Sequence, residues 1–296
     1  MIRFRCTSCG CETLVQEVGA PAICPGCHRV FRGDDGIIVL TPVAEDRDYP
    51  AALVGLVAEV EQRHFWFASR NDVILSAMRR VTGSLAGKRV LDIGCGTGFV
   101  LAALEGAGMA ACGVDMHLAA LQQARTRVRG PLFLNDASAL PFFRDFHFVT
   151  LFDVIEHADD DLAVVQQAQG ATVRKGHVVV TVPAGPELWT AYDDVTGHKR
   201  RYDRGTLSDV LARSGLTVRY VGYFNCLPLV AQRLHRRFLG GAATNGDVVE
   251  TVRRALRVPP WPLNTLLRRL IQLEAPLRRM RWIHGGSLIA IGQKDG

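Results

Sequence analysis

The most informative segment of this 296-residue chain is Val90-Leu91-Asp92-Ile93-Gly94-Cys95-Gly96-Thr97-Gly98. In it, an apolar strand runs directly into a turn that contains three glycines. Glycine lets a backbone turn this tightly and approach a ligand closely. We therefore predict a helix over about residues 99–107, whose first N–H groups face whatever occupies the turn.

Strand-like and helix-like segments alternate after this turn. The alternation indicates a mostly parallel sheet with helices on both faces. Ligands of such sheets bind outside the carboxyl ends of the strands, near the point where the strand order reverses. The predicted strands are 90–93, 111–115, 132–134, 146–152, 178–182, 216–223 and 286–292, and the predicted helices are 100–107, 118–127, 161–172 and 206–213.

Polar residues stand at the ends of the strands that follow the glycine turn. Asp115 ends one strand, Asn135-Asp136-Ala137 follows the next, and Asp153-Val154-Ile155-Glu156-His157 follows the one after. This ordered series resembles the class I S-adenosylmethionine (SAM)-dependent methyltransferases over about residues 85–223. The resemblance implies an α/β, Rossmann-like sheet that is mostly parallel, with its last strand antiparallel beside residues 216–223.

The resemblance also implies roles for the residues at the first two strand ends. The three glycines would shape the loop beneath the methionine part of SAM, and Asp92 would fix that loop by accepting backbone N–H bonds. Asp115, followed by Met116, would bind both ribose hydroxyls. An acidic residue at this position also occurs in NAD-binding Rossmann proteins, so Asp115 alone does not select the cofactor.

The choice of SAM rests on the third and fourth strand ends. By resemblance, Asp136 contacts the adenine amino group, and the N–H of Ala137 contacts an adenine ring nitrogen. Asp153 would lie beside the sulfonium. The alternative interpretation of Asp136 is a helix N-cap.

A cluster of aromatic residues lies just before the first strand, in His64-Phe65-Trp66-Phe67-Ala68-Ser69-Arg70. Many bacterial methyltransferases that resemble this chain carry a similar segment. By that resemblance, Arg70 pairs with the SAM carboxylate and Trp66 covers the site. In the alternative interpretation, the aromatics pack between helices and Arg70 lies on the surface. The sequence leaves both interpretations open.

His157 also has two interpretations. Histidine suits a general base near neutral pH. The other interpretation is that His157 packs on the cofactor, since relatives with varied acceptors carry a similar Glu-His pair. We favour packing, because a histidine in a cleft is only statistical evidence of catalysis.

The loop over residues 183–202 is dense in titratable and aromatic residues, which is unusual for a connector. We expect His198 to act as the base or to orient the acceptor, with Tyr192, Asp193 and Tyr202 around the acceptor. In the alternative interpretation, the arginines of this loop form salt bridges and Tyr202 starts the next helix.

Two Cys-x-x-Cys pairs mark residues 1–40 as a separate unit. Cys6 and Cys9 are separated from Cys24 and Cys27 by fourteen residues, a spacing that predicts tetrahedral thiolate ligation of Zn²⁺. Cys11 is a surplus cysteine that could replace Cys9 as a ligand. The unit resembles a zinc ribbon. Four thiolates leave no open coordination position, so we expect a structural ion that supplies the folding free energy of this small unit.

A basic segment lies before the last strand. Residues 226–285 contain eleven arginines, three acidic residues and no lysine, a local net charge of +8. Apolar residues at helical spacing over 263–271 predict an amphipathic helix, and arginines predict basic helices over 233–237 and 253–257. The predicted units are the ribbon (1–40), a linker with N-terminal helices (41–86), the SAM-binding core (87–225), the basic helical insertion (226–285) and the last core strand (286–296).

The overall composition is typical of a soluble globular protein, with 48% hydrophobic and 22% charged residues. No run of about 18 apolar residues occurs, so no transmembrane helix is expected. Residues 1–6 lack the apolar core of a signal peptide. We therefore expect a cytoplasmic protein with reduced thiols.

These patterns favour an enzyme, a SAM-dependent methyltransferase that acts on an oxygen, nitrogen or carbon nucleophile of a small-molecule acceptor. Lipid-like compounds and secondary metabolites are the acceptor classes left open. The basic insertion would cover the acceptor pocket, contact a homo-oligomer partner, or bind an anionic membrane surface, and we favour the first two interpretations. A carrier or partner protein recruited by the ribbon is a further option.

Two other functions remain as alternatives. An RNA methyltransferase would bind phosphates through the ribbon and the arginine-rich insertion. Against it, residues 153–155 read Asp-Val-Ile rather than the Asn-Pro-Pro-Tyr type, and stacking aromatics are scarce in the basic segment. The second alternative hypothesis is a non-catalytic scaffold protein that binds SAM.

Overall fold

Twelve strands and nine helices are described in the computed structural model, which covers residues 2–41, 51–227, 248–274 and 284–296. The strands are β1 (Ile2–Arg5), β2 (Glu12–Val15), β3 (Ala22–Ile23), β4 (Val30–Phe31), β5 (Ile38–Val39), β6 (Arg89–Ile93), β7 (Ala110–Asp115), β8 (Leu132–Leu134), β9 (Phe146–Phe152), β10 (Thr172–Pro183), β11 (Leu216–Phe224) and β12 (Ser287–Lys294). The helices are α1 (Ala51–Val60), α2 (Phe65–Thr82), α3 (Phe99–Gly106), α4 (Leu118–Arg125), α5 (Asp161–Ala171), α6 (Ala191–Val195), α7 (Arg204–Arg213), α8 (Val248–Ala255) and α9 (Trp261–Leu273).

Strands β5 to β12 form one sheet in the order β11-β12-β10-β9-β6-β7-β8-β5. Strands β5 to β10 pair in parallel, and β12 runs antiparallel between β10 and β11. The predicted fold class is confirmed, including the antiparallel last strand. The strand order reverses between β6 and β9, so the glycine turn that follows β6 lies where α/β sheets bind their ligands.

Helices cover both faces of this sheet because successive strand residues point to opposite sides. Val90 and Phe148 join the core formed with α2, α3, α4 and α9, whereas Leu91 and Val149 join the core formed with α5 and α7. Strands buried on both faces are almost continuously apolar, which is why the parallel strands were recognisable in the sequence.

The cysteine-rich unit is joined to the sheet by its last strand. This strand is β5, and it pairs in parallel with β8 of the large sheet, with Ile38 opposite Phe133. Phe4 of β1 packs edge-on against Phe133, with 6.3 Å between ring centroids. The cysteine-rich unit therefore shares the hydrophobic core of the sheet.

Of the basic insertion, the structure describes residues 226–227, 248–274 and 284–285. Helix α9 forms where the amphipathic helix was predicted and packs against α2. Asn264 fixes it there, since its side chain accepts the N–H of Phe65 and donates to the carbonyl of Arg63. The basic helix predicted at 233–237 and the linker residues 42–50 lie outside the described residues. Among the described helices, none has the length and apolar character needed to span a bilayer.

Candidate functional site

The glycine turn is shaped by three residues with positive φ. Gly94, Gly96 and Gly98 have φ values of 70°, 52° and 77°. A Cβ on Gly94 would lie 2.4 Å from Val154 Cγ2, and one on Gly98 would lie 2.9 Å from Ala124 Cβ. A Cβ on Gly96 would meet no atom within 4 Å. Neighbouring side chains therefore pack against the turn at Gly94 and Gly98, whereas the space beside Gly96 is open. A turn with this shape, called the cradle below, can hold a ligand against its backbone.

Asp115 holds this turn, whereas Asp92 does not. The Asp115 carboxylate accepts the N–H of Gly96 at 2.8 Å and the N–H of His117 at 2.9 Å. Asp92 instead accepts the hydroxyl of Thr150 at 2.7 Å. The prediction that Asp92 accepts backbone N–H bonds of the loop is therefore wrong. The reason is strand register: Asp92 lies opposite Thr150 on β9, so its side chain meets this neighbour.

A buried ion pair supports the turn from the side, and the sequence analysis missed it. Glu61, only 4% exposed, accepts the hydroxyl of Thr97 and pairs with Arg127. Arg127 also donates to the carbonyls of Thr97 and Ala58. Glu61 directly follows α1 and belongs to no recognisable sequence motif. It reaches the turn because α1 packs against α4.

The third strand end forms a turn rather than a helix. The Asp136 carboxylate accepts the N–H of Ser138 at 2.7 Å, and residues 137–139 continue as turn and bend. The helix N-cap interpretation is therefore wrong. Ala137 is partly buried beside Asp136, and Met116 is 38% exposed at the end of β7. All three residues lie on the same carboxyl edge of the sheet as the glycine turn.

Arg70 is buried beside the fourth strand end. Its guanidinium pairs with Asp153 at 2.7 Å and lies over the rings of Trp66 and Phe152, at 5.3 Å and 5.7 Å from the ring centroids. The interpretation of Arg70 as a surface residue is wrong, since it is 7% exposed. Its Nε has no hydrogen-bond partner. Asp153 itself has a φ of 56°, a strained conformation of the kind that clusters at functional sites.

The predicted acceptor loop brings two histidines together. His198 Nδ1 lies 2.8 Å from Asp193 Oδ1, and the His198 ring meets the His157 ring edge-on, with 4.8 Å between centroids. Tyr192 flanks His198, with 6.1 Å between ring centroids. Burial, followed by the charge of His198, lowers the pKa of His157 to about 4. Because Asp193 occupies Nδ1 of His198, Nε2 is the ring nitrogen that can bind a ligand.

Asp193 positions His198 and does not face an acceptor. Asp193 is completely buried, and its carboxylate also accepts the backbone N–H of Thr190. It forms a bidentate ion pair with Arg201, with N–O distances of 2.7 Å and 2.9 Å. Burial opposes ionisation, but the bonds from His198 and Arg201 outweigh it and hold the pKa of Asp193 well below its usual range. The arginine of this loop forms the salt bridge that the alternative interpretation expected.

Tyr202 is likewise a packing residue. It is 2% exposed, and its hydroxyl donates to Asp161 at 2.7 Å. Helix α7 begins at Arg204, immediately after the Asp203 N-cap. The expectation that Tyr202 lies around the acceptor is therefore wrong, because its side chain is directed into the core beneath the loop.

The four predicted ligand cysteines converge. The Sγ atoms of Cys6, Cys9, Cys24 and Cys27 all lie within 4.8 Å of one another. Cys6 and Cys27 are 3.6 Å apart, and Cys9 and Cys24 are 3.5 Å apart. Tetrahedral Zn²⁺ with Zn–S bonds of about 2.3 Å requires sulfur atoms about 3.8 Å apart, so the donor set fits a zinc ion.

Sequence comparison assigns a family to this arrangement. The profile described as "Methyltransferase domain" matches residues 37–221, more than half of the chain. The chain belongs to the methyltransferase domain family.

Two similar proteins are ubiquinone biosynthesis O-methyltransferases. The one from Acinetobacter baylyi is 28% identical over 116 residues, which cover 36% of this chain and 49% of the relative. The one from Thiobacillus denitrificans is 35% identical over 88 residues, which cover 27% and 38%. The chain thus spans half or less of the length of these relatives.

Solved structures show the same fold. Phosphoethanolamine N-methyltransferase 2 of Haemonchus contortus, in complex with SAM, superposes with a TM-score of 0.57 and 17% identity, over 84% of this chain and 58% of that chain. A complex between the Haloferax volcanii Trm112 methyltransferase activator and a methyltransferase gives a TM-score of 0.56 and 17% identity, over 86% and 100%. At these identities the similarity concerns the fold alone.

In this methyltransferase domain, the predicted residues divide into two groups along one sheet edge. The glycine turn, Asp115, Asp136 and Arg70 form one group around a cradle. The other group consists of His157 on the loop after β9, Tyr192 in α6 and His198 on the loop after α6. The segment that carries His157 is tied to the cradle, because Val154 packs against Gly94.

Proposed function

We propose that this chain binds SAM in the glycine cradle and transfers its methyl group to a hydroxyl of a small-molecule acceptor. The observation that carries the proposal is the Asp115 carboxylate, which holds the middle of an open glycine turn at the switch point of the sheet. The family and the names of the O-methyltransferase relatives support the reaction class.

The residues of the cradle match the parts of SAM. The open backbone at Gly96 admits the methionine part, and the second lone pairs of the Asp115 oxygens are available for the ribose hydroxyls. Asp136 and the N–H of Ala137 face the adenine. The unpartnered Nε of Arg70 is available to the amino-acid carboxylate, while Asp153 keeps the guanidinium in place.

The acceptor end of the site supplies orientation and a place for a proton. The sulfonium already activates the methyl group, so the protein must align the acceptor oxygen, exclude water and remove one proton. His198 presents Nε2 to the acceptor hydroxyl, because Asp193 fixes Nδ1. His157 packs against it and stays neutral near pH 7, since its pKa is lowered.

The experiment that tests the reaction class is transfer of labelled methyl from SAM into fractionated cell extract, with and without nuclease. Label in a nuclease-resistant, solvent-extractable fraction supports a small-molecule acceptor. Label that disappears after RNase treatment would instead establish RNA as the substrate. If no fraction is labelled although the protein binds SAM, the hypothesis of a non-catalytic SAM-binding scaffold would be favoured.

The cysteine-rich unit is proposed to hold one structural Zn²⁺ through Cys6, Cys9, Cys24 and Cys27. The sulfur–sulfur distances support this assignment. Thiolate ligands need a reducing compartment, so we place the protein in the cytoplasm. Since β5 and β1 pack on β8 and its neighbours, the ion would stabilise an edge of the methyltransferase sheet.

Helix α9 is proposed to contact an anionic membrane surface at which a lipid-like acceptor is reached. Leu263, Leu266 and Leu273 are 46%, 53% and 68% exposed on one side of this helix, and Arg269 adjoins them. Exposed leucines beside arginine are typical of a helix that lies in the membrane interface. A homo-oligomer contact or a carrier protein would use the same surface, and the liposome test below separates these cases from a membrane.

A further inference from the structure

Three potential metal ligands converge at the acceptor end of the site. Glu156, His157 and His198 each offer one ligand atom, and these atoms lie within 4.8 Å of one another. Two separate loops meet here, one after β9 and one after α6, and the N–H of Lys199 ties them by donating to the carbonyl of Glu156 at 2.8 Å. The arrangement is therefore fixed by backbone contacts.

Glu156 is not explained by the contacts of the protein. It is completely buried, and neither carboxylate oxygen has a hydrogen-bond partner. An unsatisfied buried polar group is costly, and a buried carboxylate is especially so. The nearby charges of Asp153, Arg70 and Arg201 act on it only through space. A ligand with positive charge would satisfy both oxygens.

Both imidazoles are oriented for such a ligand. His198 Nδ1 is held by the buried Asp193 carboxylate, which leaves Nε2 free to coordinate. The His157 ring is held beside it, edge-on, with 4.8 Å between the two ring centroids. Histidines that bind metals commonly donate their second ring nitrogen to a carboxylate or a backbone carbonyl.

We propose that Glu156, His157 and His198 bind one divalent first-row transition cation. Two imidazoles and one carboxylate are the ligand set of sites that keep open coordination positions for water or substrate. Cation binding is independent of the proposed function, but the role of the ion rests on it. The acceptor hydroxyl would coordinate the ion, which lowers the pKa of that hydroxyl and favours loss of its proton to solvent. His198 would then hold the acceptor through the ion rather than directly.

Mn²⁺ is the appropriate probe, because the soft thiolates of the cysteine cluster bind it poorly compared with Zn²⁺. Titration of the zinc-loaded full chain, with free Mn²⁺ followed by electron paramagnetic resonance, should show one Mn²⁺ per chain. Glu156→Gln should weaken Mn²⁺ binding at least tenfold. Glu187→Gln, an exposed carboxylate on the neighbouring loop, should leave it unchanged.

The cooperative urea-unfolding transition of each variant serves as the measure of folding. If Glu156→Gln does not fold, His157→Gln provides the same comparison. Wild-type protein that binds no Mn²⁺, or a folded Glu156→Gln variant that binds it as tightly as wild type, would overturn the proposal. Because the titration needs neither SAM nor acceptor, its failure is distinguishable from a failure of the methyltransferase assignment.

Discussion

At the residue scale, the carboxylates of this site have roles that their positions in the sequence only partly reveal. Asp92 lies one residue before the end of β6, and Asp115 ends β7. The sequence predicts that Asp92 accepts backbone N–H groups of the turn and that Asp115 binds the ribose hydroxyls. The structure gives Asp115 the backbone N–H groups of the turn, whereas Asp92 bonds to Thr150 across the strand pair. Strand register decides this difference, and register is not visible in one sequence.

Asp193 is the carboxylate whose loss should be most damaging. Asp193→Asn removes the charge that balances Arg201 inside the protein. Breaking a buried ion pair from one side typically costs about 3–5 kcal/mol, so the free energy of unfolding should fall by about 3 kcal/mol. We also expect kcat to fall more than tenfold, because His198 loses the carboxylate that orients it. Urea unfolding and the methyl-transfer assay measure the two effects.

The matched control for this prediction is Asp194→Asn. Asp194 adjoins Asp193 but is exposed, and among the described contacts its carboxylate accepts only the indole N–H of Trp189. Its replacement should change the free energy of unfolding by less than about 0.5 kcal/mol. Equal stability of the two variants would show that the Asp193 network is not structural.

Buried histidines predict a loss of stability in mild acid. His177 is 6% exposed and stacks on Phe148, and burial, followed by the charges of Arg219 and Lys88, lowers its pKa to about 4. In the unfolded chain its pKa is about 6.5. Between these values the unfolded state binds the additional proton, so stability should be full above pH 6.5 and decline as the pH falls to about 4.

The measurement is the free energy of unfolding from urea titrations at several pH values between 7 and 4. His177→Phe keeps the stacking on Phe148 but cannot take up a proton. Its slope of stability against pH should be smaller than that of wild type, by up to about 1.4 kcal/mol per pH unit. Identical slopes would contradict the assignment of a lowered pKa to His177.

At the scale of elements, the alternating pattern predicted the sheet and most of its helices. Strands such as Phe146–Phe152 were recognisable because they are buried on both faces and therefore continuously apolar. The pairing of β5 with β8 was not predicted, since a two-residue strand has no periodicity of its own. Glu61 was missed for a related reason: its role comes from how α1 crosses α4.

The cysteine-rich unit should stabilise the sheet edge through this pairing. Cys24→Ser, or removal of zinc with a chelator, should lower the melting temperature of the full chain and speed amide exchange in β8. Zinc binding in such a small unit supplies much of its folding free energy. Cys11→Ser is the control, because Cys11 is exposed and lies outside the four-cysteine cluster. Unchanged exchange in β8 after zinc removal would show that the unit folds independently of the sheet.

At the scale of the whole molecule, charge and exposed apolar surface are concentrated in one segment. The residues from 226 to 285 carry a local net charge of +8, while the chain as a whole carries +6. One side of α9 packs against α2, whereas Leu263, Leu266 and Leu273 are exposed. The sequence predicted the helix and its amphipathic character, but not that part of its leucine stripe would face solvent.

This surface predicts binding to anionic lipid. The chain should sediment with vesicles that contain phosphatidylglycerol and remain in solution with vesicles of phosphatidylcholine alone. Leu266→Glu should reduce binding at least fivefold, whereas Leu263→Met should not, since it keeps the side chain apolar. Equal sedimentation with both lipid types would argue against the electrostatic part of the proposal. Absence of any binding would favour a protein partner or a second copy of the chain.

The affinity for SAM, determined by isothermal titration calorimetry on the full chain, tests whether the glycine cradle is the cofactor site. We predict binding in the micromolar range, typical of enzyme substrates, and at least a hundredfold loss for Asp115→Ala. Asp159→Asn, an exposed carboxylate that pairs with Lys199 away from the cradle, should bind SAM like wild type. Wild-type protein that does not bind SAM, or a folded Asp115→Ala variant that retains micromolar affinity, would contradict the assignment of the glycine cradle as the cofactor site.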